Sequence, residues 1–567
     1  MNINNNLNEK NYDIVVAGAG PAGMAAAIVA AKDGLKVLVV EKTDQVGGTA
    51  ATSAGSLWIP GNTQSIKEGY SDKIEDASNY LKSLISSEEN SSKRNLYLKM
   101  APTVIDFFND NTDVKFIPCG KHPDYRSDIP GHAVSGRAII PEVFNGRLLG
   151  SNFSRLRPPI PEFMILGGMM FGKSDIPHLI NRYKSLKSFW HTSRLVGRYF
   201  VDRMKYPRGT RVVMGNALVG RMYYSLIKLG VDVWFNSKIE SVDSRNEIIS
   251  KIIVSRGNKS EIININYALI LATGGFSHNE AYRKKYMYSP TPKFSLGCEE
   301  NKGDGLTIAD GIGAEIEYTT QGGGGFWAPV SVTYHKKGKK GLFPHLSLDR
   351  AKPGLIAVNK KGVRFVNEGC SYHDFVEAMY LDADKNMPCY LVCDDNFINK
   401  YGLGYIPPGV KDINKYVESG YIKSAKSIKE LAVTINVPEK SLINEINKNN
   451  EFAKSGKDLD YGKGNTELNK FNGDANHKPN PCIGSIDSPP YIAIEIWPAE
   501  IGCSAGIKTD RWGQVIGKNG KKISGLYTCG NDAASIFNGE YPGPGTTLGP
   551  ALVFGYITSK HASGNLE

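Results

Sequence analysis

Tyr12–Ala17, apolar except for Asp13, is rich in β-branched residues and continuous rather than alternating. Such a run predicts a strand buried on both faces. Gly18-Ala-Gly20-Pro21-Ala22-Gly23 follows, and Met24–Lys32 is an alanine-rich helix ended by Gly34. Leu35–Val40 is a second buried strand, closing at Glu41. The pattern recurs far downstream, where Ala268–Ala272 reads as a strand running into Thr273-Gly274-Gly275. Gly525-Leu-Tyr-Thr-Cys reads as another strand, ending at Gly530-Asn531-Asp532, and a helix follows from about Pro550 to His561. Ser427–Asn449 has helical spacing, and Ser455–Lys478, rich in Gly, Lys, Asn and Asp, reads as an exposed loop. No internal repeat appears. No apolar run approaches the roughly 20 residues of a spanning helix, so a soluble protein is expected.

The opening strand–turn–helix–strand is a complete βαβ unit carrying the dinucleotide fingerprint. Gly18 allows the tight turn, Gly20 lets the backbone approach a pyrophosphate, and Gly23 permits close helix–strand packing. Pro21 and Ala22 open the helix, whose N–H groups face the phosphates. Glu41 is placed to accept ribose hydroxyls, beside Lys42. Gly47-Gly48-Thr49, just past this carboxylate, points to FAD rather than NAD, with Ser53 nearby. Ala272, Thr273 and Gly274 form a second contact with the cofactor. Gly530 and Asn531, with Thr547 and Leu548 before the last helix, form a third. Three separated segments returning to one cofactor imply a discontinuous FAD-binding domain, residues 1–285 and 495–567, with a substrate-covering domain inserted at 286–494. Gly47–Ala54 holds no histidine for covalent attachment, so noncovalent FAD is expected.

Further stretches resemble the flavoproteins of the fumarate reductase and succinate dehydrogenase superfamily, and within it the 3-oxosteroid Δ1-dehydrogenases. They are Gly47–Pro60, His122-Pro-Asp-Tyr125, Arg364-Phe-Val-Asn-Glu-Gly-Cys-Ser-Tyr372 and Glu540-Tyr541-Pro-Gly-Pro-Gly545-Thr-Thr-Leu-Gly-Pro550. The resemblance implies an α/β fold with a Rossmann-like FAD-binding domain and an inserted α+β catalytic domain. It also implies a 3-ketosteroid substrate and an external electron acceptor. In that chemistry a base takes the proton α to the ketone, donors hold the enolate oxygen, and the flavin accepts the hydride. By resemblance Tyr541 and the Gly545 N–H polarise the 3-keto oxygen. Tyr372 abstracts the C2 proton with Tyr125 sharing it, and flavin N5 takes the C1 hydride. Relatives acting at Δ4 carry serine two residues after the equivalent of Tyr541, where this chain has Gly543. A fumarate-reductase-like ene reductase, a Δ4-dehydrogenase and a flavoprotein subunit of a membrane electron-transfer complex stay open as alternatives. For the first, only His132 and Arg137 offer themselves as dicarboxylate ligands. Ser53 and Trp58 are candidates for lining the cavity.

Composition adds two points. Eight cysteines without Cys-x-x-Cys or zinc-finger spacing, behind a polar N-terminus, fit reduced thiols in a cytoplasm and no metal site. Lys and Arg exceed Asp and Glu by 68 to 57. Much of the excess is local: Ile176–Arg208 carries eight Lys or Arg against Asp202 alone. It follows the apolar run Phe163–Gly172, and Leu179, Tyr183, Leu186 and Trp190 fall on one helical stripe. An apolar and basic segment over 160–208 reads as a seat for an anionic membrane surface, peripheral on the inner membrane face. Packing on the FAD domain is the competing reading. With no known nucleic-acid module beside the charge, no nucleic-acid partner is expected.

Overall fold

The computed structural model describes residues 9–172, 174–243, 248–318, 321–334, 340–347 and 349–566. The first apolar run forms the strand Glu9–Ala17, pairing in parallel with Val37–Val40 on one side and with Lys259–Leu271 from Ile262 onward on the other. Asp232–Trp234 extends the sheet beyond Val37–Val40, and Lys522–Thr528 joins the far side of Leu269–Leu271, again in parallel. Strands from near both ends of the chain therefore lie two places apart in one sheet. Ser237–Asp243, Lys251–Arg256 and the start of Lys259–Leu271 form an antiparallel meander on the same sheet.

The helix Pro21–Lys32 is buried over its first ten residues. A helix without a polar face must be covered all round, and the helix Leu548–Ala562 supplies part of the cover. The two backbones approach closely: a Cβ at Gly555 would lie 2.7 Å from the Ala22 carbonyl oxygen.

A second sheet runs Lys340–Pro344, Gly325–Tyr334, Tyr491–Cys503, Cys389–Asp394, Leu355–Val358, with Phe294–Ser295 and Lys423–Ala425 also pairing to Tyr491–Cys503. The boundary expected at 495 falls inside that central strand, which stays paired to the second sheet until Cys503.

Two expectations are corrected. Ser455–Lys478 is not an exposed loop: Lys463, Asp458 and Asn469 are buried, and the segment contains the helix Glu467–Asn472. Its charges are tolerated because they cancel in place. Arg364 pairs with Glu368 and Asp458, and Lys463 pairs with Glu368. Nor is the stripe from Leu179 to Trp190 one helix. The chain forms a short helix Ile176–Ile180, turns through 181–185, and restarts as Leu186–Arg203. The apolar run before it is a small hairpin, Met164–Ile165 against Met169–Met170. Among the described residues no helix is long and apolar enough to cross a membrane.

Candidate active site

One connected cleft, open to solvent, runs from the glycine turn at Gly18–Ala22 to Tyr125, Tyr372 and Tyr541. At its nucleotide end the three glycines divide their roles by geometry. Gly18 has φ +104°, and a Cβ there would lie 2.3 Å from the Ala272 carbonyl oxygen. At Gly23 a Cβ would lie 2.1 Å from the Gly18 carbonyl oxygen. A Cβ at Gly20 would meet nothing within 4 Å, because this residue faces the open cleft. Bare backbone at the start of a helix is what a pyrophosphate requires.

Glu41 accepts from the Ala19 N–H at 2.9 Å and from the N–H and hydroxyl of Thr43, each at 2.9 Å. It therefore fixes the turn as well as lining the cleft, and a carboxylate retains lone pairs for ribose hydroxyls. Lys42 pairs with Asp304. Gly47 donates its N–H to Ala19 at 2.9 Å. The Thr49 hydroxyl accepts from the Cys298 N–H at 2.9 Å and from the Asn301 amide at 3.1 Å. Gly48, Ser53, Ala272, Thr273, Gly274, Gly530, Asn531, Thr547 and Leu548 all line the cleft. Gly23 sits behind the turn.

Asp532 ties the second and third segments together, accepting from the Gly275 N–H at 2.8 Å and from the Thr273 N–H and hydroxyl. Burial pushes its carboxyl up, and these donors work against that. Asn301 and Asp532 were not singled out from the sequence. Their signal is spatial, since each bonds to residues more than 200 positions away.

At the other end, Tyr372 is the first residue of the helix Tyr372–Tyr380, whose N-cap Ser371 accepts from the Asp374 N–H at 3.0 Å. Tyr125 donates its N–H to the Pro542 carbonyl at 2.9 Å, which sets it beside the loop carrying Tyr541. The Tyr125 hydroxyl donates to the Tyr372 hydroxyl at 3.1 Å. The Tyr125 and Tyr541 rings stack with centroids 5.5 Å apart, and Tyr372 meets Tyr541 edge-on at 5.4 Å. Burial pushes all three phenols well above the usual tyrosine value. Gly545 has φ +99°, and a Cβ there would lie 2.4 Å from the Leu57 Cα. Its N–H has no acceptor among the described residues, which leaves it free to bind an oxygen entering the cleft. Leu468, from the segment read as exposed, packs on the tyrosines with Phe326.

Ser53 lines the cleft, but Trp58 does not. Trp58 is buried against Tyr80, Tyr97 and Phe537, and its indole N–H donates to Asp124 at 2.8 Å. A Cβ at Gly543 would lie 2.5 Å from the Trp58 ring, so the loop after Tyr541 fits only if that position stays bare. Arg137 is buried in ion pairs with Asp72 and Asp124, and neither it nor His132 lines the cleft. The dicarboxylate-binding alternative loses the pair on which it rested.

A family described as FAD binding domain matches residues 13–548. The chain belongs to this family. The flavoprotein is 36% identical over 553 residues to a 4-oxocyclohex-2-ene-1-carboxylate 5-dehydrogenase of Sinomonas cyclohexanicum, covering 96% of this chain and 92% of that one. It is 33% identical to a 3-oxosteroid 1-dehydrogenase of Mycobacterium tuberculosis, covering 97% and 98%. Its fold matches the crystal structure of a 3-ketosteroid Δ1-dehydrogenase from Sterolibacterium denitrificans in complex with 1,4-androstadiene-3,17-dione. The TM-score is 0.88 at 31% identity, over 98% of this chain and 99% of that one.

Proposed function

We propose that this flavoprotein is a 3-oxosteroid Δ1-dehydrogenase, with FAD held noncovalently. The supporting observation is the cluster of Tyr125, Tyr372, Tyr541 and Gly545 at the apolar end of a cleft that begins at a dinucleotide turn. The Tyr541 hydroxyl and the Gly545 N–H hold the ketone oxygen and steady the charge that develops on it. Tyr372 takes the α-proton. Tyr125, bonded to Tyr372 at 3.1 Å, keeps a donor on that oxygen when its proton leaves. Bound FAD supplies the hydride acceptor. The residues around the ketone end, among them Phe163, Leu346, Leu468 and Ile501, exclude water from the proton transfer. The proposed division of labour is a cofactor-holding body from the first sheet and a cover from the second.

A monocyclic oxo-acid is the second reading, favoured by the 36% relative. A carboxylate substrate calls for a cation. Lys42, Arg157 and Lys238 line the cleft, but each already pairs with Asp304 or Glu300. This favours a neutral, apolar substrate. Anaerobic titration of the FAD-loaded protein with a 3-keto-4-ene steroid, 4-oxocyclohex-2-ene-1-carboxylate and succinate separates the readings. The steroid alone should bleach the flavin at stoichiometric concentration. Bleaching by the oxo-acid alone would overturn the steroid assignment.

The basic segment extends the proposal to a membrane on the inner, cytoplasmic face, from which sterols enter. Leu186, Trp190, Phe200, Val201 and Met204 share one face of the helix Leu186–Arg203 and its end, and all are exposed, Met204 at 86%. Arg194, Lys187 and Lys205 flank them, each worth on the order of 1 kcal/mol beside anionic lipid. Co-sedimentation with anionic vesicles should fall as salt rises. Protein that stays in the supernatant at low salt would reject the membrane seat.

A further inference from the structure

Arg350 is buried at 2% exposure, yet no carboxylate of a described residue forms an ion pair with its guanidinium. It is held by four backbone carbonyls instead. Nε donates to His345 at 2.8 Å, and the terminal nitrogens donate to Leu346 at 3.0 Å, Glu368 at 2.9 Å and Cys370 at 3.2 Å. The guanidinium also lies 5.0 Å from the ring centroid of Phe375, in the helix that Tyr372 opens. A buried cation without a counter-ion is costly. Here it joins the two strips of chain that frame the ketone end: 344–346, of which Pro344 and Leu346 line the cleft, and 368–370, which leads directly into Tyr372.

The groups around it offset it only in part, Asp349 by charge at a distance and without a bond to the guanidinium. Asp349, held well down at about 2 beside His345 despite its burial, gives one oxygen to His345 and to the Gly404 N–H. Its other oxygen takes the backbone N–H of Arg350. The Glu368 carboxylate is bound by Arg364 and Lys463. The Cys370 and Cys389 thiols, also buried nearby, are pushed up to about 12 and beyond, so they stay neutral. On the helix, Asp374 is raised by burial to about 6, and the His373 imidazole lies against Glu377. Facing Tyr372 from the other elements are the neutral phenols of Tyr125 and Tyr541. Burial raises the Tyr372 and Tyr125 phenols, and the positive charge of Arg350, whose guanidinium grips the Cys370 carbonyl two residues before Tyr372, works in the opposite sense on both. The helix N-terminus at Tyr372 has the same sign.

We propose that Arg350 is a positioning residue for Tyr372: it fixes the backbone approaching the tyrosine, and its charge, bonded to no carboxylate, stabilises the phenolate form of a phenol that must give up and regain a proton. The proposal rests on the reading of Tyr372 as the base. Its test uses the FAD-loaded protein with 3,5-difluorotyrosine at position 372, whose more acidic phenol brings the titration into reach of fluorine NMR. Arg350→Met should raise the titration midpoint by about one pH unit or more, the usual effect of losing a nearby opposite charge. Arg350→Lys, which keeps charge but not the four-carbonyl grip, should move it less than half as far. If the methionine variant does not fold, Arg350→Gln carries the same expectation. In protein with the natural tyrosine, Arg350→Met should slow flavin reduction at least tenfold near neutral pH, with the steroid KM changed less than threefold. That deficit should narrow as pH rises. A midpoint unmoved in the neutral variant overturns the proposal, whatever the loss of rate. A shifted midpoint together with normal turnover in Tyr372→Phe would instead retain the charge effect and reject Tyr372 as the base.

Discussion

The two ends of the cleft are built by different means. The nucleotide end is mostly backbone: glycines whose missing side chains admit the cofactor, fixed by local bonds such as Ala19 to Glu41. The ketone end is made of side chains, with Tyr125, Tyr372, Tyr541 and Leu468 drawn from four remote stretches. A backbone site fails when an atom is added, whereas a side-chain site fails when one is removed. Substitutions at the two ends should therefore give opposite phenotypes.

The largest effect is expected from Gly23→Val, where a Cβ 2.1 Å from the Gly18 carbonyl forces the first helix off its strand. The variant should purify without yellow colour or not fold, and flavin absorbance relative to protein reads this directly. Tyr541→Phe and Tyr372→Phe should do the reverse, retaining flavin while the rate of its reduction falls by on the order of 10²–10³. Near-wild-type reduction in either would remove that residue from the chemistry. Gly543→Ser tests the border between the two styles of construction, because the added atoms press on Trp58. Overpacking of this kind costs about 1–3 kcal/mol, to be seen as a lower Tm with flavin still bound. The smallest change is one of pH. Because burial raises the Tyr372 phenol, the proton-accepting form is scarce near neutrality. Flavin reduction should climb from pH 7 toward the tyrosine reference near 10. A flat profile would point to a base other than a tyrosine. Acid precipitation should release the colour into the supernatant, and colour kept in the pellet would mean a covalent link.

Legibility in the sequence follows the same division. The βαβ unit announces itself because turn, packing and phosphate contact are all encoded within thirty residues. The helices Pro21–Lys32 and Leu548–Ala562 differ from the pattern only at their ends. The tyrosines were reached through resemblance, since one phenol among 28 has no local mark of function. What escaped was long-range compensation. Polar composition marked Ser455–Lys478 as surface, yet Arg364 and Glu368 cancel its charges and draw it inward with Leu468. Arg350 was invisible for the same reason: carbonyls, not an acid at helical spacing, hold it. The stripe from Leu179 to Trp190 kept its apolar character but not its single helix, because spacing does not record the turn at 181–185.

The pairing of Lys522–Thr528 with Leu269–Leu271, beside a strand that begins at Glu9, has a consequence for synthesis. While the chain is still emerging from a ribosome, the first βαβ unit exists without the helix that later covers it and without Gly530, Thr547 and Leu548. Those residues, with Tyr541 among them, are made about 500 residues after the glycine turn they complete. Nascent chains arrested before residue 525 should therefore capture no flavin, however long they are given. Loading belongs to the stage after those residues have emerged, when the helix Leu548–Ala562 reaches the first helix and covers it.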